Sequence, residues 1–281
     1  MIRIITDSAA DFEPHELKQM NITCIPLTVM FGDREFQENI NLNKNQFYDL
    51  LLSSDSLPKT AQASPQMLLD LFEAAGEAGD QAIYITISSG ISGTYENALM
   101  TKGLSESDSV YIVDGRNATG GQRQVVEYAV RLRDEGKTAP EIVEALEEMR
   151  GRVSLFACLD TLENLYKGGR ISHTTYKLGT LANIKPIIHI DQSGHVQVPA
   201  KAMGMRKGMD MLCKRLDMLP MDPEFPLYVM YTSNPAPART LADRLAALGY
   251  PASPERIIQV GAAIGSHIGP DACGLVYVAK T

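Results

Sequence analysis

The first half of the chain alternates short apolar runs with amphipathic stretches of helical length, and this alternation restricts the possible folds more than any other feature. It predicts strands over 3–8, 22–31, 82–88 and 110–114, and helices over 44–53, 65–78, 93–102 and 122–135. Strands separated by helices of this length form a mostly parallel sheet with helices on both faces. The segment 31–36 is typical of a β-hairpin, so one edge of the sheet is expected to be antiparallel.

The order of the elements changes near Gly151. The capping box Thr138-Ala-Pro-Glu141 predicts a charged helix that ends at about Arg150. Beyond it, the pattern predicts a strand over 153–159, two short helices, a hairpin over 184–191 and 195–200, and a long helix over 205–219. A strand over 227–232, a helix over 236–248 and strands over 257–260 and 274–279 are expected to follow. The chain is therefore predicted to be an α/β protein, with an N-terminal α/β domain over 1–151 and a C-terminal α+β domain over 152–281.

Charge and composition exclude several classes of protein. The formal net charge is −8 and no long run of Lys or Arg occurs, which argues against a surface for nucleic acid or anionic membranes. No run of about 18 apolar residues predicts a transmembrane segment, and no signal peptide is recognisable, so a cytoplasmic location is expected. No pair of the four cysteines has metal-ligand spacing, so free thiols are predicted, and neither a metal nor a cofactor is expected.

A loop rich in serine and glycine follows the third apolar run. Residues 85–95 read Ile-Thr-Ile-Ser-Ser-Gly-Ile-Ser-Gly-Thr-Tyr, which takes a strand into this loop and then into a helix. In a parallel sheet such a loop lies at the carboxyl edge of the strands, where ligands bind. Free amides and the helix dipole favour an anion there, to which Ser92 can donate and which Gly93 allows to approach closely. An ordinary turn capped by serine explains the same spacing, so the residues alone leave both interpretations open.

Ser92 also has to be considered as a nucleophile. The α/β-hydrolase elbow requires Gly-x-Ser-x-Gly, whereas Thr94 stands where the second glycine belongs. The sequence marks none of the five histidines as a base for this serine. A serine-dependent acyl hydrolase that uses Ser92 is kept as the alternative function.

Three further segments contain candidate ligand-binding side chains. Thr60 lies in a loop before the helix that begins at Pro65, and it can donate to the same anion if the two loops converge. Arg170 follows a double glycine, where it can bind a phosphate or a carboxylate, or be an ordinary surface arginine. His267 lies in what reads as a tight glycine-rich turn, where it can donate to an oxyanion or cap the turn. The glycine-rich segment 115–121 lacks the lysine and hydroxyl of a phosphate loop, so nucleotide binding of that kind is not expected.

Five marks occur in order across nearly the whole chain. They are Ile-Ile-Thr-Asp-Ser at 4–8, the loop at 60–64, Ile-Ser-Ser-Gly-Ile-Ser-Gly-Thr at 87–94, Lys-Gly-Gly-Arg-Ile-Ser at 167–172 with Asn-Ile-Lys-Pro at 183–186, and His-Ile-Gly-Pro at 267–270. Each is modest alone, but five in register are specific, and together they resemble the DegV family of bacterial fatty-acid-binding proteins. The resemblance implies an N-terminal domain related to the dihydroxyacetone-kinase and sugar-phosphotransferase folds.

The resemblance also implies a ligand and the residues that bind it. One long-chain fatty acid would lie between or within the domains, with Thr60 and Ser92 donating to its carboxylate and the Gly93 N–H close by. Some members are the binding subunit of a fatty-acid kinase and present the carboxylate to a separate ATP-binding subunit. In such members a histidine matching His267 and an arginine matching Arg206 lie near the head group. The expected function is therefore that of a lipid-binding carrier in phospholipid metabolism, and not that of an enzyme by itself.

The chain departs from the family pattern near the expected head group. Ala61 replaces a serine, which removes one hydroxyl, and Asp271 replaces a glycine, which adds a negative charge near His267. The basic run around Arg206 is also shorter than usual. Arg170 remains a candidate for the head-group region or for partner docking. These differences weaken the expectation of a kinase partner more than they weaken the expectation of lipid binding.

The chemistry of a fatty acid agrees with these residues. Burying roughly 15 methylenes at about 0.8 kcal/mol each gives an upper bound near 12 kcal/mol, before losses for ordering the chain. The tail would thus provide most of the affinity, while neutral hydroxyls and an amide orient the carboxylate. Such a set of groups is typical of a binding protein.

Overall fold

The computed structural model of the chain describes residues 1–105, 107–177 and 183–280. Its strands are β1 (Ile2–Asp7), β2 (Ile22–Ile25), β3 (Thr28–Phe31), β4 (Arg34–Gln37), β5 (Lys59–Ala61), β6 (Gln81–Thr86), β7 (Val110–Asp114), β8 (Val153–Cys158), β9 (Ile184–Ile190), β10 (Val196–Met203), β11 (Tyr228–Tyr231), β12 (Ile257–Gln259) and β13 (Cys273–Val278). Its helices are α1 (Pro14–Met20), α2 (Lys44–Ser53), α3 (Pro65–Glu77), α4 (Thr94–Ser105), α5 (Thr119–Asp134), α6 (Ala139–Arg150), α7 (Glu163–Lys167), α8 (His173–Lys177), α9 (Gly204–Met218), α10 (Ala236–Ala247) and α11 (Ala262–Ile268).

The apolar strands of the first half form a parallel sheet in the order β2-β1-β6-β7. Its strands are apolar on both faces because helices cover both. Ile4 and Ile83 pack with α5 and α6, whereas their neighbours Ile5 and Tyr84 pack with α3 and α4. The predicted parallel sheet with helices on both faces is confirmed.

The hairpin at 31–36 forms as predicted, but the prediction that it lies at an edge of the parallel sheet is wrong. β3 pairs antiparallel with β4 and with β5, which makes a separate three-stranded sheet. The predicted strand over 22–31 is interrupted after Ile25, because Pro26 has no N–H with which to continue the ladder. The chain therefore leaves the first sheet at this point and enters the small sheet, in which β5 contains Thr60.

The second half of the chain forms a six-stranded sheet in the order β10-β9-β8-β13-β11-β12. Its pairs are antiparallel except for β11 with β12, so the sheet is mixed. The predicted α+β order of elements in this half is confirmed. The hydrophobic core is continuous with that of the first half, since Ile5 and Tyr84 share one cluster with Leu155 and Val276. A domain boundary at 151/152 stays a prediction.

Helix α5 lies between the two large sheets and contacts β1 and β6 on one side and β8 and β13 on the other. It begins three residues before the predicted start at 122, and its first turn contains Gly120. A Cβ atom on Gly120 would lie 3.2 Å from the Met230 sulfur, so this glycine allows the second sheet to approach the helix. The glycine-rich segment 115–121 thus has a packing role.

Helix α11 replaces the glycine-rich turn that the sequence predicts around His267. Buried carboxylates from distant segments bind its N-terminal amides: Asp11 accepts from Gly261 N at 2.9 Å, and Glu38 accepts from the N–H groups of Ala262 and Ala263. Gly265 gives α2 room to approach, since a Cβ there would lie 2.7 Å from the Phe47 ring. The prediction of a turn is wrong because the groups that stabilise the helix are not its sequence neighbours.

The carboxylates that bind α11 are deeply buried. Glu38 is 2% exposed and also accepts from Ser8 Oγ at 2.6 Å. Burial, reinforced by the nearby charge of Asp11, raises the pKa of Glu38 to about 7. Burial likewise raises the pKa of Asp11 to about 6, although Lys44, whose Nζ donates to the Asp11 carbonyl at 2.9 Å, opposes that rise.

Among the described residues, none of the helices combines the length and the apolar character needed to cross a bilayer. The four cysteines are free thiols, as predicted, and three of them are buried. The capping box at Thr138 also forms, with its N–H donating to the Glu141 carboxylate at 2.8 Å.

Replacing Glu38 with Gln should make the stability of the protein less dependent on pH. The folded-state pKa of Glu38, about 7, lies above its ordinary value of 4.5, so the folded state binds the proton more tightly than the unfolded state. The free energy of unfolding should therefore fall as the pH rises through this interval, by on the order of 2 kcal/mol from this group. Gln keeps an oxygen acceptor for the amides of α11 but cannot ionise.

Thermal unfolding between about pH 5 and about pH 8 measures this difference. We expect the Tm of Glu38→Gln to decrease less over this range than the Tm of the wild type. Glu73→Gln, which changes an exposed carboxylate on α3, is the matched control and should follow the wild type. A Glu38→Gln curve parallel to that of the wild type would show that Glu38 is ionised throughout the range.

Candidate functional site

A cavity of about 340 Å³ lies where the three sheets meet. Its volume is within the range of about 300–1,000 Å³ that is usual for small-molecule sites. The wall is mostly apolar and receives side chains from both halves of the chain, among them Leu27, Ile87, Ile91, Leu155, Ala157, Leu165, Ile188, Ile190, Val196, Met230, Val260, Ile264 and Ile268. A wall of this composition favours a hydrocarbon ligand.

Five of the six predicted site residues line this cavity: Thr60, Ser92, Gly93, Arg170 and His267. They come from β5, the loop before α4, the segment after α7, and α11. The segments of Thr60 and Ser92 converge, since both contribute to the wall of one cavity. The role of each residue toward a ligand stays a prediction.

Thr60 and His267 form a hydrogen-bonded pair across the small sheet and α11. The distance from Thr60 Oγ1 to His267 Nε2 is 2.8 Å, and β5 fixes Thr60 opposite Val29. Burial, together with the charge of Arg170, lowers the pKa of His267 to about 4. The imidazole is therefore neutral near pH 7, and its buried Nδ1 has no hydrogen-bond partner among the described residues.

Arg170 is a half-buried cation that is held by backbone carbonyls. Its Nε donates to the carbonyl of Ile91 at 3.0 Å, and its Nη1 donates to the carbonyl of Gly168. None of the ion pairs within the described ranges involves Arg170. Burial lowers its pKa, but a guanidinium remains charged. A positive charge thus lies in the cavity wall, and no carboxylate of the described residues forms an ion pair with it.

The loop before α4 is fixed by two carboxylates at the ends of β1 and β7, the strands that flank β6. Asp7 accepts from Ile87 N at 2.8 Å, and Asp114 accepts from the N–H and the hydroxyl of Ser89 at 3.1 and 2.7 Å. Ser92 then precedes the helix, where its Oγ lies 2.9 Å from Thr94 Oγ1 and accepts from Thr94 N at 3.3 Å. The Gly93 amide lies at the N-terminal end of α4, where amides have no intrahelical partner.

Arg206, the sixth predicted residue, lies away from this cluster. It is exposed near the start of α9, its carbonyl accepts from Arg244 Nη1 at 3.1 Å, and it does not line the cavity. Its assignment to the head-group region stays without support from the geometry.

Gln62 is a cavity residue that the sequence reasoning missed. It follows Thr60 in the same loop, and its side chain covers Gly93 so closely that a Cβ there would lie 2.8 Å from Gln62 Oε1. The alternation of side chains along the extended segment from Thr60 could have indicated it.

Within the part of the chain that the structure describes, the arrangement provides hydrogen-bond donors but no catalytic base bonded to Ser92. His267 is bonded to Thr60, and the Ser92 hydroxyl is bonded to Thr94. No group of His, Cys, Asp and Glu side chains in the described part of the chain could hold a metal ion. The geometry therefore favours binding of an anion over nucleophilic attack.

Comparison with known proteins identifies relatives of the whole chain. A family model described as uncharacterised proteins of the DegV family matches residues 1–280. Protein DegV of Bacillus subtilis is 32% identical over 286 residues, which cover 99% of this chain and 99% of the relative.

Solved structures agree in fold. A DegV family protein from Thermus thermophilus, described by its fatty acid binding, has a TM-score of 0.89 and 25% identity and covers 99% of both chains. DegV of Bacillus subtilis, described as a fatty acid binding protein, has a TM-score of 0.84 and 28% identity and also covers 99% of both chains. Since the family model spans nearly every residue and the whole fold matches, the chain belongs to the DegV family.

Proposed function

We propose that the chain binds a long-chain fatty acid, with its tail in the apolar cavity and its carboxylate at Thr60, Ser92 and the Gly93 N–H. The observation that carries this proposal is one cavity whose wall joins a large apolar surface to a small cluster of donors. The tail would gain from removal of apolar surface from water, and the donors would fix the head. Solved relatives described as fatty-acid-binding proteins support the same ligand class.

His267 would orient Thr60 toward the carboxylate. A neutral imidazole carries its hydrogen on one of its two nitrogens. With the hydrogen on Nε2, His267 donates to Thr60 Oγ1, which leaves the Thr60 hydroxyl hydrogen for the ligand. The low pKa of His267 keeps the imidazole neutral over the whole neutral pH range.

Arg170 would stabilise the negative charge of the head group. Two of its donors are occupied by the carbonyls of Ile91 and Gly168, which fix the guanidinium beside the Ser92 loop. Since Arg170 has no carboxylate in the ion pairs of the described residues, a bound carboxylate would be its counter-ion.

The head-group end of the cavity lies near the surface. Ala61, Gln62 and Gly93 are exposed, whereas the apolar wall lies inside the protein. We propose that a carboxylate at this place is presented to a separate ATP-binding kinase subunit, while the chain itself catalyses no reaction. Phosphorylation of the carboxylate by that subunit would take place in the cytoplasm, where ATP is available.

Organic extraction of the purified protein, followed by mass spectrometry, tests the proposed ligand. We expect a fatty acid in a ratio approaching one per chain after denaturation, because a buried tail dissociates slowly. Protein that has been stripped of lipid should bind added fatty acid with the same stoichiometry. Preparations that contain no lipid and do not bind added fatty acid would overturn the proposal.

Replacing Ser92 with Ala separates a carboxylate donor from a nucleophile. Loss of one hydrogen bond to a charged acceptor, worth about 1.5–3 kcal/mol, should weaken fatty-acid binding roughly 10- to 150-fold. A methyl ester of the same chain length has a weaker acceptor and should lose less affinity. Titration of both ligands against both proteins measures the difference.

An ester-hydrolysis assay completes this comparison. We expect no turnover by the wild type, since the Ser92 hydroxyl has no histidine partner in the described structure. Turnover that disappears in Ser92→Ala would establish the hydrolase instead, and unchanged fatty-acid affinity would remove Ser92 from the head-group site.

Replacing Gly168 with Ala tests the His267–Thr60 pair without altering either residue. A Cβ on Gly168 would overlap His267 Nδ1, so the imidazole would have to shift, which would disturb its hydrogen bond to Thr60. We expect roughly tenfold weaker fatty-acid binding, equivalent to the loss of about one hydrogen bond. Gly103→Ala on α4, where a Cβ meets no atom within 4 Å, is the control and should bind like the wild type. Equal affinities for both variants would show that the pair does not position the ligand.

A further inference from the structure

A second cavity, of about 670 Å³, lies on the other face of strands β8 and β9. Successive residues of a strand point to opposite faces. On β8, Leu155 lines the first cavity and Phe156 lines the second, and on β9 Ile188 and His189 divide in the same way. Phe156 and His189 are cross-strand partners whose rings stack 5.3 Å apart at 12°. The two cavities therefore lie on opposite faces of these strands, and Ile190 at the end of β9 lines both.

Four cations line the second cavity, namely Arg116, Arg150, Arg152 and Lys280. Among the described residues, the carboxylate that also lines it is that of Asp191. Donors of its own hairpin surround this carboxylate, which accepts from Ser193 Oγ at 2.6 Å and from Gln197 Nε2 at 2.7 Å. The chain as a whole carries a net charge of −8, so this concentration of positive charge does not follow from a generally basic composition.

The carboxylates beside Arg150 and Arg152 do not bind all of the N–H donors of these two guanidinium groups. The Arg150 guanidinium lies 3.3 Å from the Glu147 carboxylate, and Arg152 Nη1 lies 3.1 Å from Asp222 Oδ2. The Nε atoms of Arg150 and Arg152 are nevertheless buried and have no hydrogen-bond partner in the described ranges. Each of these two arginines therefore keeps one N–H group without a partner in the described structure, although both line the cavity.

Arg116 and Lys280 add exposed charge at the same cavity. Arg116 Nε is 4.0 Å from Asp114 Oδ2, which is the limit of an ion pair, and the Asp114 carboxylate is already occupied by Ser89. Lys280 is exposed and forms none of the ion pairs found in the described part of the chain. Both side chains are therefore available to an anion that enters from solvent.

From this arrangement we infer that the second cavity binds a small phosphorylated molecule. Guanidinium groups match the geometry of phosphate oxygens, and several cations together suit a dianion better than a carboxylate. The volume exceeds what one inorganic phosphate fills, so the remainder accommodates the organic part of a phosphate ester. This site is distinct from the proposed fatty-acid site and does not depend on it.

Pyrophosphate is the probe for this inference, with sulfate at equal ionic strength as the reference anion. Isothermal titration of the wild type should show saturable binding of pyrophosphate, with affinity that decreases as salt increases. The double variant Arg116→Gln, Lys280→Gln changes two exposed side chains and should bind at least about tenfold more weakly, because charge-assisted hydrogen bonds are lost. The control Lys207→Gln, Arg239→Gln removes the same charges from exposed positions outside the cavity and should bind like the wild type.

Three results would overturn the inference. They are no saturable binding of pyrophosphate, equal binding of sulfate, and equal loss in the two double variants. Titration of fatty acid against the same proteins keeps this result separate from the proposed function. We expect the Arg116→Gln, Lys280→Gln protein to keep the fatty-acid affinity of the wild type, since neither residue lines the first cavity.

Discussion

Two buried carboxylates hold the N-terminus of α11, and the site on the first cavity depends on them. Asp11 and Glu38 belong to the first half of the chain, yet they bind amides that lie 250 and 224 residues further along. Carboxylates at a helix N-terminus satisfy free amides and interact favourably with the helix dipole. By fixing α11 they also fix His267 at its last turn, and through His267 the hydroxyl of Thr60. The positions of two side chains in the cavity wall are thus set by carboxylates that do not themselves line the cavity.

Local patterns in the sequence predict the fold well, because the helices and strands of this chain follow their own periodicity. The parallel sheet, the mixed sheet, the long helix and both hairpins lie where the apolar spacing places them. The errors occur where tertiary contacts decide. The strand predicted over 22–31 divides at Pro26 between two sheets, and α11 is short and has its caps on distant segments. Glu38 lies far from His267 in the sequence, so the local pattern around His267 could not indicate the helix that Glu38 caps.

The candidate site was predictable as a set of residues but not as an arrangement. Thr60, Ser92 and His267 were marked by loop composition and by resemblance to a family, and the structure brings them to one cavity. Thr60 and His267 are 207 residues apart, so their hydrogen bond leaves no signal in local spacing. Arg206 shows the opposite error. It was assigned to the site from a family motif, but it is exposed on a helix and does not line the cavity. Gln62 was missed because an uncharged side chain suggests no chemistry by itself, although its spacing of two residues from Thr60 places it on the same side of the extended segment.

Strands β8 and β9 lie between the apolar first cavity and the second cavity, whose lining includes several cations. Alternation along β8 gives Leu155 to the apolar side and Phe156 to the cationic side. Because the side-chain repeat of a strand is two residues, insertion or deletion of a single residue in β8 would exchange the two walls at once. Such a change would turn Phe156 toward the apolar cavity and Leu155 toward the arginines. The length of this strand is therefore under a tighter constraint than the identity of its residues, because substitutions alter one compartment whereas a shift in register alters both.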